Sequence, residues 1–211
     1  MGLFGYLLGQ TQEVKSVEKP YFFDEFKLGT VFFSNGEQAK AMLNYNFVSQ
    51  QMQFLNHENN NEVLNLVRQP NLTHIEIGND IFVPAGNKGF AWVVQDGPIS
   101  LLYSKKVVVQ NVKSGGYGDL SPTAAGDNIN SIFGVGIVYQ FPPNTRTRTE
   151  ERFYLMKNKK VYAATRRNYL ALYSEIKPQL EQFLKEHRVD FKNEQHLRGL
   201  SKFANGLLLA K

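Results

Sequence analysis

From Gly29 to Val112 the chain runs through short apolar or alternating stretches separated by turn residues, the pattern of an antiparallel meander. Residues 30–33 precede Ser34-Asn35-Gly36, whose Asn-Gly pair tolerates the positive φ angles of a tight hairpin turn. Residues 39–46 follow as the partner strand, and a period of two puts Ala39, Ala41, Leu43 and Tyr45 on one face. Further strands are expected at 51–55, 62–66 and 73–77, the last with Ile75 and Ile77 on one side and closed by Gly78-Asn79-Asp80 before a strand at 81–83. Asp96-Gly97-Pro98 marks another hairpin between 90–94 and 99–103, and 106–112 continues the series. About eight strands in so short a span bury one face of each only when a sheet closes or stacks, so a barrel or a sandwich is expected.

Residues 114–130 interrupt the alternation with Gly115, Gly116, Gly118, Pro122 and Gly126 and read as a long surface loop. Strand character returns at 132–141, 152–156 and 161–163, with Lys157-Asn158-Lys159-Lys160 as a turn. After Thr165 the period changes: Leu170 and Tyr173, then Leu180, Phe183 and Leu184, then Leu197, Leu200, Ala204, Leu207 and Leu208 recur every three or four residues. That spacing predicts two or three short helices. Pro178 suits a first helical turn, where its missing N–H has no intrahelical partner to lose. Asn193 is placed to cap the last helix, with the Glu194 carboxylate at its positive end. The expected fold class is α+β, mainly β: an antiparallel barrel or sandwich over 21–165, then a helical region over 166–211 packed on the sheet.

Composition narrows the setting. A chain of 211 residues, 42% hydrophobic with 16 Phe and 10 Tyr, can bury a core without covalent staples. There is no cysteine, which excludes disulfides, zinc-thiolate sites and cysteine nucleophiles. The formal charge of +5 is uneven. Residues 1–135 hold 9 Lys/Arg against 12 Asp/Glu, or −3, whereas residues 136–211 hold 15 against 7, or +8. No apolar run approaches the roughly 20 residues of a membrane-crossing helix. Residues 1–12, MGLFGYLLGQTQ, resemble either the apolar part of a signal peptide without its basic start or a plain strand. Residues 1–20 are therefore expected to be a signal-peptide remnant or a flexible terminus. Gln10 stands where a lipid-bearing cysteine would have to follow Leu7-Leu8-Gly9, so a lipoprotein anchor is not expected.

Candidate chemistry is sparse. Nucleophilic catalysis needs a base beside the nucleophile, and none of His57, His74, His187 and His196 sits in a local signature. His74 and Glu76 share a strand face, but two ligands are too few for a metal. Gly126-Asp127-Asn128 lacks the spaced acidic series of a calcium loop, and Gly134-Val135-Gly136 lacks the third glycine of a dinucleotide site. No catalytic, metal or cofactor site is expected. The basic segment is the remaining candidate: Arg146, Arg148, Arg152, Lys159, Lys160, Arg166 and Arg167, interleaved with Phe153, Tyr154, Tyr162 and Tyr169. Such a set reads as a solvated sheet face whose lysines discourage edge pairing. It also reads as an anion-binding surface for membrane or glycan, and less naturally as one for nucleic acid.

Several segments together resemble a group of uncharacterised exported proteins of Bacteroidota-type bacteria. They are Phe26 to Val31 (Phe-x-x-Gly-Thr-Val), Leu43-Asn44-Tyr45-Asn46, Met52-Gln53-Phe54, Ile75-Glu76-Ile77-Gly78 with Phe82, Gly97-Pro98-Ile99-Ser100-Leu101-Leu102 and Gly116-Tyr117-Gly118. The resemblance implies a periplasmic or cell-envelope location and a β-rich body with C-terminal helices, and it carries over no functional residues. The function expected first is a non-enzymatic envelope module, binding or structural, that meets an anionic envelope surface or another envelope protein. A carrier with a β-barrel cavity for a small apolar ligand such as a lipid comes second. A hydrolase with a dispersed site, using His74 and Glu76, comes last.

Overall fold

The computed structural model describes residues 19–86, 89–110, 141 and 146–210. The N-terminal reading up to residue 18, the glycine-rich loop 114–130 and residues 132–140 of one expected strand lie outside the described residues. Among the described residues there are ten strands: β1 (Lys27–Phe33), β2 (Gln38–Asn46), β3 (Gln51–Asn56), β4 (Glu62–Asn65), β5 (Leu72–Ile77), β6 (Asp80–Pro84), β7 (Phe90–Gln95), β8 (Ser100–Gln110), β9 (Arg146–Lys157) and β10 (Lys160–Ala163). They form one antiparallel sheet in the order β10-β9-β8-β7-β6-β5-β1-β2-β3-β4. Two meanders, β1 to β4 and β5 to β10, meet where β5 pairs with β1. Gly29 sits at that seam, where a Cβ would lie 2.7 Å from the Glu76 carbonyl oxygen.

The sheet is open, with β4 and β10 at its edges, and stacks on itself like a sandwich. The return is visible at β8, which pairs with β7 only through Leu101, Leu102 and Tyr103 but with β9 along its whole length. Beyond Tyr103 its other edge meets the corner between β2 and β3. There the Val107 N–H donates to the Phe47 carbonyl (3.0 Å) and the Gln50 side-chain amide donates to the Lys105 carbonyl (3.3 Å). Tyr45 crosses the interior to donate to the Phe90 carbonyl on β7 (2.9 Å). Leu43, Tyr45, Ile75, Ile77, Phe82, Phe90 and Val107 fill the enclosed space.

The strands differ from expectation in two places. Over the described residues, the strands expected at 99–103 and 106–112 are parts of one strand, Ser100–Gln110, because Ser104 and Lys105, although polar, keep the alternation and stand opposite Arg152 and Glu151. β9 begins at Arg146 rather than 152. Its early residues carry no apolar side chain, but Thr147 and Thr149 are β-branched and face Val109 and Val107 across the ladder.

Three helices follow: α1 (Arg166–Leu172), α2 (Lys177–Glu186) and α3 (Glu194–Leu209). Pro178 lies in the first turn of α2, and the Asn193 side chain accepts from the His196 N–H (3.1 Å) at the start of α3. The helices bury Tyr169, Tyr173, Ile176, Leu180, Leu197, Leu200 and Ala204 against Ile99, Leu101, Phe153 and Leu155. Polar pairs fix the register of this seam. Tyr169 and Ser201 hydroxyls meet at 2.7 Å, and Tyr173 donates to Asn205 Oδ1 at 2.9 Å. The Asn205 amide brackets Ile99, donating to its carbonyl (3.0 Å) and accepting its N–H (3.3 Å). Gly97 leaves room for this contact, since a Cβ there would lie 2.4 Å from Asn205 Nδ2.

Candidate functional site

The seven cations singled out in the sequence do not form one cluster. β9 alone spans roughly 36 Å at ~3.3 Å per residue, and they are spread from its start to α1. Arg146, Arg148 and Arg152 occupy one face of β9, where Arg148 and Arg152 share Glu150 at 2.6 and 3.3 Å. Lys159 sits in the β9–β10 turn with φ 63°, and Lys160 opens β10. Arg166 and Arg167 form the exposed first turn of α1. Of the interleaved aromatics, Phe153, Tyr154 and Tyr169 are buried, so their rings are not presented for base stacking.

Arg166 of that set borders a concave surface, one created by the connection between α2 and α3. Helix α2 ends at His187, whose backbone N–H (2.9 Å) and Nδ1 (3.1 Å) both reach the Phe183 carbonyl, an acceptor that the helix end would otherwise leave unpaired. The chain then turns. The Asp190 carbonyl accepts from the Asn193 N–H (3.1 Å), the Asp190 carboxylate accepts from the Lys192 N–H (2.9 Å), and the Asp190 N–H donates to His196 Nδ1 (3.1 Å). A column of rings ties the two helices together: His187 stacks on Phe183 at 4.2 Å, and Phe183 on Phe203 at 4.5 Å.

Two adjoining hollows result. One, about 320 Å³, lies between Arg166 and Asp190 over Leu184 and Phe191. The other, about 470 Å³, lies between His187 and His196 over Phe183 and Gly199. They share His187, Arg188 and Val189. Both volumes fall in the range of small-molecule sites, with a mainly apolar floor and a few polar groups at the rim. In the sequence neither His187 nor His196 stands in a local signature. The signal for this site was their nine-residue separation across a turn that returns the chain on itself, visible only once Asn193 is recognised as a cap.

Elsewhere, His74 and Glu76 share the face opposite Ile75 and Ile77, with His74 Nε2 3.3 Å from Glu76 Oε1 and the His74 ring stacked on Phe32 at 4.4 Å. Among the described residues no group of three or more His, Asp or Glu is placed to hold a metal ion. The inner face of the folded sheet, where a barrel-type carrier would hold its cargo, is occupied by contacting rings. Phe22 meets Phe82 at 5.1 Å and Trp92 at 5.4 Å, and Tyr45 meets Phe82 at 5.6 Å. No described helix is long and apolar enough to cross a membrane. The fold and cleft define an open antiparallel meander capped by a helical region that carries a surface hollow. Compared with known proteins, the chain matches no family model, no curated protein and no solved structure.

Proposed function

We propose that this chain is a non-enzymatic binding module of the bacterial cell envelope whose C-terminal region recognises an anionic partner. The observation that carries the reading is the pair of hollows at the α2–α3 connection, where Arg166, Arg188 and two histidines stand beside Glu186 and Asp190, in the part of the chain that holds 15 Lys/Arg against 7 Asp/Glu. Cations around an apolar floor favour a partner with negative charge next to apolar surface. The envelope setting rests on the resemblance of the strand motifs, and fractionation of cells expressing the full-length protein checks it.

Cosedimentation with phosphatidylglycerol vesicles tests the electrostatic part. At about 1 kcal/mol per cation near an anionic surface, neutralising both Arg166 and Arg188 to Gln is expected to weaken binding by tens of fold. Raising salt should weaken it further. Binding that is absent, or indifferent to salt and to both substitutions, would sink the reading.

A further inference from the structure

The larger hollow holds two imidazoles in fixed orientations, and we propose that it binds a small amphiphile with one carboxylate head and an unbranched apolar tail. This rests on the reading that the C-terminal region recognises anions, and it names the ligand. The Phe183 carbonyl can only accept, so His187 Nδ1 carries a proton and Nε2 is left for the hollow. The Asp190 N–H donates to His196 Nδ1, so the neutral His196 ring carries its proton on Nε2. A carboxylate can accept from His196 Nε2–H with one oxygen and from the Arg188 guanidinium with the other. The tail would lie along Phe183 and Val189 toward Gly199. A Cβ at Gly199 would meet nothing within 4 Å, so α3 leaves open space where almost any other residue would reach into the hollow.

The charged groups around the two rings are Glu186, Arg188 and Asp190 on the α2–α3 connection and Arg166 of α1.

Decanoate below its micelle threshold, titrated into the full chain by amide NMR, tests this. The expected result is shifts confined to residues 183–199 and binding at least tenfold weaker for decanol and for acetate. Gly199→Leu fills the space while improving helix propensity, so it should abolish decanoate binding in a protein that melts no lower than the parent. Arg188→Gln should weaken binding about fivefold. Equal binding of decanol, unchanged binding by Gly199→Leu, or tighter binding of a leucine-terminated peptide would overturn the proposal. If decanoate fails while vesicles still bind, only the ligand assignment falls; if vesicles also fail, the anion reading falls with it.

Discussion

At the scale of single residues, the helical cap is held by polar atoms whose pairing no local pattern announces. Tyr169 and Ser201 lie 32 positions apart and meet at 2.7 Å inside an otherwise apolar seam. Removing either hydroxyl alone strands its partner in a buried site, at a cost of about 1–3 kcal/mol. Removing both leaves nothing unsatisfied. In urea titrations the Tyr169→Phe, Ser201→Ala double variant is therefore expected to lose less than the sum of the two single losses. Additive losses would show that the hydroxyls do not interact. Helical periodicity marked Tyr173 as apolar, and it is buried, yet its hydroxyl also anchors Asn205. A pattern of apolar positions identifies which side chains go inside without showing which of their polar ends will find each other.

At the scale of elements, most of the architecture could be read from local pattern because each hairpin encodes itself. Ser34-Asn35-Gly36, Gly78-Asn79-Asp80 and Asp96-Gly97-Pro98 all separate paired strands. The alternation of Leu43 with Tyr45 and of Ile75 with Ile77 placed those side chains in the core they occupy. The errors came where one side of a strand is polar for reasons outside it, as at Ser104-Lys105 within β8 and at the threonine-rich start of β9. The candidate cleft was illegible for a related reason, since it depends on how three helices meet the sheet rather than on any one of them. Capping was legible, and it carries a prediction. Asn193→Ala should destabilise the protein by about 1 kcal/mol, whereas Asn193→Gly should cost only a few tenths. Equal effects of the two in thermal melts would remove the cap from the account.

At the scale of the whole molecule, burial is written into the alkaline limit of stability. Tyr45, Tyr169 and Tyr173 are each enclosed, and desolvation of the phenolate pushes all three well above the ordinary tyrosine value. In the unfolded chain they would lose their protons near pH 10. Above that pH the native state holds more protons than the unfolded state, so stability falls as pH rises, by up to about 1.4 kcal/mol per pH unit for each tyrosine. Below pH 10 their contribution is fully present. Urea titrations at pH 9, 10 and 11 should show this decline, and Tyr45→Phe should make it shallower by one tyrosine's share. A flat profile would mean that these hydroxyls reach water.

The long β8–β9 ladder has a further consequence for how the chain is made. Its two strands are joined through residues 111–145, so the pairing forms only after that whole connection has left the ribosome. The helices that cover Leu101, Phe153 and Leu155 are synthesised after the sheet. During translation that apolar surface waits for the final turns of α3, the interval in which a nascent β-sheet protein is most prone to aggregate and most in need of a chaperone.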